Sequence, residues 1–183
     1  MTHDLASVAR VGVVGAGTMG SGIAQVAAAA GYDVSMRDID PEYVEDGFET
    51  IEESLGRLTE RGEFTEAEAE ATRERITGTT DLEDLSDCPV IVEAALEDID
   101  VKRDVFADLD EIAPADAVLA TNTSTLSITT IAAATDRPES VVGLHFMNPV
   151  PIMEGVEVVV GEKTDDAVVD LAHDFSESLD KET

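Results

Sequence analysis

Short apolar runs alternate with longer amphipathic stretches along the chain. The apolar runs predict strands at residues 8–14, 34–36, 90–96, 118–121, 141–145 and 156–160. Most of these runs are too continuous to leave one face in water. They therefore favour a parallel sheet that is covered on both sides.

Helical spacing of apolar residues fills the segments between the predicted strands. We expect helices at residues 18–30, 65–75, 98–112, 127–133 and 165–179, and one more that begins at Pro41, a residue suited to a first turn. Strands that alternate with helices indicate right-handed βαβ units. The fold class is therefore α/β, a doubly wound, Rossmann-type domain with a mostly parallel sheet. A length of 183 residues predicts one domain over residues 1–183.

The charge of the chain is strongly negative, with 41 Asp and Glu against 11 Lys and Arg and a formal net charge of -30. Without a basic patch, the chain is not expected to bind nucleic acid, and docking on an anionic membrane is disfavoured. Such a surface repels itself at ordinary ionic strength, whereas molar salt shortens the Debye length to about 3 Å. We therefore expect a protein from the salt-loaded cytoplasm of a halophile; a merely acidic protein of a mesophile is the alternative.

The single cysteine and the apolar pattern predict a cytoplasmic location. Cys88 has no partner for an internal disulfide, which suits a reducing compartment. The first ten residues lack a basic segment followed by a long apolar one, and no run approaches 18 apolar residues. We expect no signal peptide and no membrane-spanning helix.

A glycine-rich loop follows the first predicted strand and precedes a helix. It has the pattern Gly15-x-Gly17-x-x-Gly20, with Thr18 and Met19 between the last two glycines. In this context the first glycine permits the tight turn, the second lets the backbone approach a pyrophosphate, and the third lets helix and strand pack closely. The pyrophosphate then lies at the positive end of the helix dipole. The pattern predicts a dinucleotide site.

An acid at the end of the second predicted strand favours NAD over NADP. Asp38 lies 18 residues beyond Gly20, where a carboxylate accepts hydrogen bonds from ribose hydroxyls and repels a 2′-phosphate. Arg37 leaves NADP open, because a cation at this place can accept that phosphate. Asp38 as a simple turn residue is a second alternative, but it does not account for the spacing.

A histidine and a glutamate in the last two predicted strands are candidates for acid–base chemistry. Glu157 lies 12 residues after His145, inside an apolar run that we expect to be buried. A buried carboxylate needs a partner, and His145 at the end of the neighbouring strand is the obvious one. The imidazole would accept a proton, and the carboxylate would fix its tautomer. Residues 121–125 add hydroxyls and an amide that face the same crevice. The alternative is a histidine with a purely structural hydrogen bond.

Four motifs resemble the amino-terminal NAD-binding domain of L-3-hydroxyacyl-CoA dehydrogenases, including 3-hydroxybutyryl-CoA dehydrogenases. They are GAGTMGSGIAQVAAAAG, VEAALEDIDVKRDVF, NTSTLSIT and GLHFMNPVP followed by EVVVG, and the resemblance covers roughly residues 8–181. It implies reversible, NAD-linked oxidation of an L-3-hydroxyacyl-CoA to the 3-ketoacyl-CoA.

The resemblance also implies roles for individual residues. His145 matches the catalytic base, Glu157 its acidic partner, and Ser124 and Asn148 the polar residues that contact the 3-oxygen of the substrate. The expected cofactor contacts are Gly15, Gly17, Thr18, Met19, Gly20, Asp38, Glu97, Lys102 and Asn122. The expected coenzyme A contacts are Ser54 and Arg61, and no metal is expected.

The chain departs from the family pattern in two places. Glu154 and Gly155 stand where the family commonly has a basic residue and a leucine. The family also continues into a further strand and a helical carboxyl-terminal domain that makes the dimer and closes the cleft. We therefore expect an exposed sheet edge, a homo-oligomer or a separate carboxyl-terminal domain as partner, and NAD binding that survives better than turnover.

Two other functions are compatible with the fold. One is a redox-inert NAD-binding module, although such a module has no use for a proton acceptor near the nicotinamide. The other is a dehydrogenase of the 3-hydroxyisobutyrate or 6-phosphogluconate type. Such enzymes rely on a lysine to handle the proton, and here only Lys102 lies within the central motifs.

Overall fold

Seven strands form one sheet whose order reverses near its middle. The computed structural model describes residues 4–183. The strands lie in the order β3-β2-β1-β4-β5-β6-β7. They are β1 (Arg10–Val14), β2 (Asp33–Arg37), β3 (Ile76–Thr79), β4 (Val90–Glu93), β5 (Val118–Thr121), β6 (Val141–Phe146) and β7 (Val156–Val160). The reversal between β1 and β4 is the place where open α/β sheets bind their ligands.

Six α-helices connect the strands, and side-chain caps explain where most of them begin. They are α1 (Thr18–Ala29), α2 (Pro41–Glu60), α3 (Glu66–Glu74), α4 (Ile99–Ile112), α5 (Ile128–Ala132) and α6 (Asp166–Ser178). At the start of α2 to α6, an Asp, Thr or Ser side chain accepts a hydrogen bond from a first-turn N–H. In residues 4–183 no helix is both long and apolar enough to cross a membrane.

Helices cover both faces of the sheet, which is why most strands consist of continuous apolar runs. On one face Ile23 of α1, Ile51 of α2 and Phe175 of α6 join the same buried cluster. On the other face Phe106 of α4 and Ile131 of α5 form a second cluster. The predicted doubly wound α/β fold is confirmed, and so is the general order of strands and helices.

The strand β3 is absent from the sequence-based prediction. It comprises Ile-Thr-Gly-Thr, in which only Ile76 is buried. It pairs in parallel with β2 at one edge of the sheet. One apolar residue in four gives no run and no alternation, so the hydrophobic pattern could not reveal this strand.

The strand β7 forms the other edge and runs antiparallel to β6. The run Val-Glu-Val-Val-Val predicts a strand that is buried on both faces. Instead Val156 is buried, Val158 is half-buried, and Val159 and Val160 are exposed. An antiparallel edge strand can leave one face in water, so continuous apolarity did not mark a strand covered on both sides here.

Candidate functional site

The loop between β1 and α1 has steric reasons for its glycines. Gly15 has φ of +100°, and a Cβ there would lie 2.6 Å from the carbonyl oxygen of Ala94. A Cβ at Gly20 would lie 1.8 Å from the carbonyl oxygen of Gly15, so α1 packs directly against the loop. Apart from its two chain neighbours, no atom of residues 4–183 lies within 4 Å of a Cβ built at Gly17. The loop therefore turns tightly and leaves one face open to a ligand.

The amino end of α1 lacks the side-chain cap that the other α-helices have. Its N-cap is Gly17, and no acid lies in its first turn, which begins with Thr18 and Met19. In a chain with 41 Asp and Glu, no acidic side chain caps this positive end of a helix dipole. The unpaired N–H groups and the dipole suit an anionic group such as a pyrophosphate.

Asp38 follows β2 and is bonded to the glycine loop. Its Oδ2 accepts a hydrogen bond from the N–H of Ala16 at 2.7 Å, and its Oδ1 accepts one from the N–H of Ile39 at 2.7 Å. Each oxygen keeps a second lone pair, so the carboxylate can still accept from ribose hydroxyls. Arg37 Nε donates instead to the carbonyl of Thr80 at 3.3 Å, beside the end of β3. The carboxylate rather than the guanidinium is thus fixed to the loop.

A cavity of about 390 Å³ opens between the glycine loop and the ends of β2 and β4. Four large apolar side chains in its wall are exposed to solvent: Ile39, Tyr43, Leu96 and Val101. Clustered exposed apolar side chains are typical of a binding site, and these suit a flat aromatic ring such as adenine. Sequence analysis missed all four, since they lie on different elements and share no periodic pattern.

A buried ion pair lies next to this cavity. The side chains of Glu93, at the end of β4, and Lys102, on α4, are 0% and 1% exposed. Lys102 Nζ donates to both carboxylate oxygens of Glu93, at 2.7 and 3.0 Å. The hydroxyl of Thr121 and the N–H of Ala95 also donate to Glu93, at 2.7 Å each. Glu93 was not predicted from the sequence. The available signal was an acid at the end of an apolar strand, followed by a helix with a lysine in its first turns.

Glu97 lies at the outer end of this network and is partly exposed. Its carboxylate accepts hydrogen bonds from the hydroxyls of Thr123 and Thr125, and Lys102 Nζ lies 3.6 Å away. Burial alone would raise the pKa of Glu97, but the Thr123 hydroxyl and the Lys102 ammonium outweigh it and lower the pKa. Glu97 is thus an ionised acceptor. The ammonium of Lys102, a predicted cofactor contact, is buried against Glu93 and lies 3.6 Å from the partly exposed carboxylate of Glu97.

His145 and Glu157 face each other across β6 and β7. They are register partners of the antiparallel pair, and His145 Nδ1 lies 2.8 Å from Glu157 Oε2. Because a carboxylate only accepts, the neutral imidazole donates from Nδ1 and keeps the lone pair on Nε2. His145 lies near the carboxyl end of β6, and the glycine loop follows the carboxyl end of β1. Both therefore lie at the edge of the sheet that the carboxyl ends of the parallel strands form. Three strand spacings, roughly 14 Å, separate β6 from β1.

The expectation that Glu157 is buried is wrong. Its side chain is 64% exposed, while that of His145 is 20% exposed. The reason is the position of β7 at the edge of the sheet, where alternate side chains point away from the covering helix α6. The hydrogen bond to His145, and not an apolar enclosure, therefore positions this carboxylate.

Asn122 joins the loop after β5 to the end of β6. Its N–H donates to the carbonyl of Glu93 at 2.8 Å, and its Oδ1 accepts from the N–H of Phe146 at 2.8 Å. Phe146 directly follows His145, so these bonds connect the buried network of β4 to the dyad.

Ser124 and Asn148 lie in the loops that follow β5 and β6, and both are exposed. The peptide bond between Asn148 and Pro149 is cis. Among residues 4–183 neither the Ser124 hydroxyl nor the Asn148 amide has a side-chain hydrogen bond. Both groups can therefore bind an oxygen atom of a substrate at the edge where His145 lies.

Ser54 and Arg61 line one wall of a groove of about 160 Å³ between α2 and the loop after β6. Pro149 and Ile152 belong to the opposite wall. The structure thus brings the two predicted coenzyme A contacts to the loop that begins beside His145.

Arg57 lines the same groove, and sequence analysis missed it. It lies one helical turn before Arg61, so α2 presents two cations to the groove. Their ion pairs, with Glu53 at 3.5 Å and Glu63 at 3.9 Å, are exposed and therefore weak. Both guanidinium groups can exchange these partners for an anionic ligand. The signal was the spacing of four between two arginines on one predicted helix.

The thiol of Cys88 plays no part at this edge. The residue is buried, and burial together with the nearby Asp87 carboxylate raises the pKa of the thiol to about 12. The thiol therefore stays protonated and unreactive at neutral pH. Within residues 4–183 no group of three or more His, Cys, Asp or Glu side chains is arranged to hold a metal ion.

A glycine loop at the reversal point of a doubly wound sheet, an uncapped α1 and an acid after β2 together define a dinucleotide-binding domain. The family model described as "3-hydroxyacyl-CoA dehydrogenase, NAD binding domain" matches residues 10–183. The chain belongs to this family, and its cofactor is NAD.

Curated relatives share this region of the sequence. A probable 3-hydroxybutyryl-CoA dehydrogenase of Deinococcus radiodurans is 45% identical over 172 residues, which is 94% of this chain and 62% of the relative. A 3-hydroxybutyryl-CoA dehydrogenase of Bradyrhizobium diazoefficiens is 44% identical over 177 residues, or 97% of this chain and 60% of the relative. The chain thus spans about 60% of the length of these relatives.

Solved structures show the same fold. The 3-hydroxybutyryl-CoA dehydrogenase of Escherichia coli K12 superposes with a TM-score of 0.93 at 42% identity, covering 96% of this chain and 37% of that one. FadB2 of M. tuberculosis gives a TM-score of 0.93 at 45% identity, covering 96% of this chain and 62% of that one.

Proposed function

We propose that this chain is the NAD-binding part of an enzyme that reversibly oxidises an L-3-hydroxyacyl-CoA to the 3-ketoacyl-CoA. The observation that carries the proposal is the 2.8 Å contact between His145 Nδ1 and Glu157 Oε2. It lies at the carboxyl ends of the parallel strands, where the glycine loop also lies. A module that only binds NAD has no need of a proton acceptor there. The names of the relatives, which act on 3-hydroxybutyryl-CoA, support the substrate class.

The residues at this edge fit NAD. The open face at Gly17 and the uncapped α1 would hold the pyrophosphate, and Asp38 would accept from the adenosine ribose. Asp38 also repels a 2′-phosphate. Arg37 lines the same cavity, and its Nε donates to the carbonyl of Thr80. Glu97 and Asn122 would contact the nicotinamide half, beyond β4 and β5. The cofactor, when bound, supplies a hydride acceptor for the carbon that carries the hydroxyl.

His145 would accept the hydroxyl proton while that carbon loses its hydride. Nε2 carries the lone pair that takes the proton, and Glu157 stabilises the imidazolium that results. In reduction of the ketone, the same Nε2–H returns the proton to the oxygen. Ser124 and Asn148 would hold that oxygen near Nε2 through their unpaired polar groups.

The groove on α2 would take the coenzyme A part of the substrate. Ser54 and Arg61 line it, and Arg57 adds a second cation one turn away. A chain with only 11 Lys and Arg places two of them at this groove. Guanidinium groups bind phosphate oxygens in bidentate fashion, which suits the phosphates of coenzyme A.

A second candidate function is NAD binding without efficient turnover, until another domain or a second subunit covers the site. The observation in its favour is a set of exposed large apolar side chains beyond the dyad: Ile152, Met153, Val159 and Val160. Exposed apolar groups of this kind are typical of surfaces that a partner covers.

Titration with NADH and NADPH, followed by mixing with acetoacetyl-CoA, tests the proposal and separates the two candidates. We expect tighter binding of NADH than of NADPH, and NADH consumption that requires acetoacetyl-CoA. Binding of NADH without any consumption would support the second candidate. Absence of NADH binding would overturn both.

A further inference from the structure

Lys181 is a buried cation that the proposed chemistry does not use. It follows α6, and only 8% of the residue is exposed. Its Nζ donates to the carbonyl oxygens of Val150 and Met153, at 2.8 Å each. Burial lowers the pKa of the ammonium, and the nearby carboxylates of Asp180 and Glu154 oppose this effect. Burying an ammonium is costly unless it is hydrogen-bonded, and these two carbonyl oxygens are its acceptors.

The two carbonyls belong to the segment 149–153, which follows Asn148. This segment turns on itself, because the N–H groups of Ile152 and Met153 both donate to the carbonyl of Pro149, at 3.0 and 2.9 Å. The turn brings the carbonyls of Val150 and Met153 to Lys181 Nζ, in one buried and one partly buried hydrogen bond. Without the ammonium, both carbonyl oxygens would lose this donor.

Three further contacts hold the segment and the residues that directly follow it. A Cβ at Gly22 of α1 would lie 2.9 Å from Val150 Cβ, so the segment packs tightly on the helix. Next to Lys181, the N–H of Glu182 donates to the carbonyl of Glu154, and the N–H of Val156 donates to the carbonyl of Glu182, at 2.8 Å each. Lys181 thus lies at the centre of a junction between α1, α6 and the start of β7.

We propose that Lys181 is a positioning residue that sets the segment 149–153, and through it Asn148 and the wall of the coenzyme A groove, for acyl-CoA binding. Pro149 and Ile152 of this segment line the groove opposite Arg61. The inference rests on the proposed function, because it assigns the groove to acyl-CoA. Lys181 acts through backbone carbonyls and does not itself contact the substrate.

The test compares Lys181→Met with Lys163→Met, which removes an equal charge from an exposed residue between β7 and α6. In Lys181→Met we expect the dissociation constant for acetoacetyl-CoA to rise about 10- to 100-fold, because hydrogen bonds from a charged donor are lost. The dissociation constant for NADH should stay within about twofold, as for a distant site. Amide exchange at Ile152 and Met153 should accelerate. Lys163→Met should match the parent chain in all three.

The outcomes separate the two proposals. If the parent chain binds NADH but no acetoacetyl-CoA, the proposed function fails. If the parent chain binds both ligands and Lys181→Met retains its acetoacetyl-CoA affinity, the inference about Lys181 is wrong. An equal loss for both ligands also contradicts it, because that is the result of general destabilisation. If Lys181→Met does not fold, Lys181→Gln, which is too short to reach both carbonyls, should show the same selective loss, and parent-like affinity there overturns the inference.

Discussion

Lys102→Met removes one partner of a fully buried ion pair, and we expect it to destabilise the chain severely. In the parent structure the Glu93 carboxylate has four donor contacts, two of them from Lys102. In the variant only the Thr121 hydroxyl and the Ala95 N–H remain, and the charge has no counter-ion within the core. Glu97, whose carboxylate lies 3.6 Å from Lys102 Nζ in the parent structure, is itself an anion and cannot replace the lost charge.

The expected cost follows from this burial. Breaking a buried ion pair by removal of one partner costs about 3–5 kcal/mol. In a chain of 183 residues, that loss lowers the melting temperature by roughly 6–20 °C. Glu93→Gln combined with Lys102→Met removes both charges, so the double variant should lose less than the sum of the two single variants. We expect a coupling energy of about 1–3 kcal/mol.

Urea unfolding at a fixed KCl concentration, followed by circular dichroism, measures all three variants. Lys163→Met is the matched control, because it removes the same charge from the surface, and its change should stay below about 0.5 kcal/mol. If Lys102→Met loses less than about 1 kcal/mol, or if the single variants add up to the double variant, the ion pair does not stabilise the core as described.

Three further predictions concern the cofactor site, the half-buried charge of Arg137 and the surface. Asp38→Ala should weaken NADH binding about tenfold in a fluorescence titration, and unchanged NADH affinity would contradict the assigned role. Arg137 donates to the Asp110 carboxylate and to the carbonyls of Asp110, Ala113 and Pro114 at the end of α4. Arg137→Met should therefore lower the free energy of unfolding in urea by about 2–4 kcal/mol. A loss under about 1 kcal/mol would argue against a stabilising role of Arg137. With a net charge of -30, the melting temperature should rise between about 0.1 and 2 M KCl; an equal or higher value in dilute salt would remove the halophile interpretation.

The fold was largely predictable because its central strands are buried on both faces. Runs such as Val-Ile-Val in β4 have a pattern that only a covered strand requires, and α2 begins at Pro41 as expected. The edge strands were harder. In β3 one residue of four is buried, and in β7 an apolar run lies half in solvent. In an edge strand, the number of apolar residues in the run does not show how much of the strand is buried.

The site was predictable where a motif carries its own geometry. The glycine pattern fixed the loop after β1, and the spacing of Asp38 placed the acid beside it. The partnership of His145 and Glu157 was predicted, but for a wrong reason, since Glu157 is exposed. Register between β6 and β7 brings the two together, and one-dimensional spacing does not contain that register.

The remaining residues depend on contacts between distant segments. Glu93 needs Lys102 and Thr121, which come from two other elements. Lys181 needs carbonyls that lie about thirty positions earlier in the chain. A backbone acceptor leaves no trace in the sequence, so no reading of side-chain types could have found this contact.

The proposed mechanism depends on the claim that the imidazole of His145 handles the proton, accepting it in oxidation and returning it in reduction. The rate of NADH consumption with acetoacetyl-CoA by His145→Gln tests this claim. The control is His173→Gln, at the histidine of α6 that bonds to Thr183. We expect the rate of His145→Gln to fall about 100- to 10,000-fold below that of the parent chain, as when an acid–base group is lost. Its NADH affinity and both properties of His173→Gln should be unchanged. A His145→Gln rate equal to that of the parent chain, with NADH bound equally well, would contradict the claim.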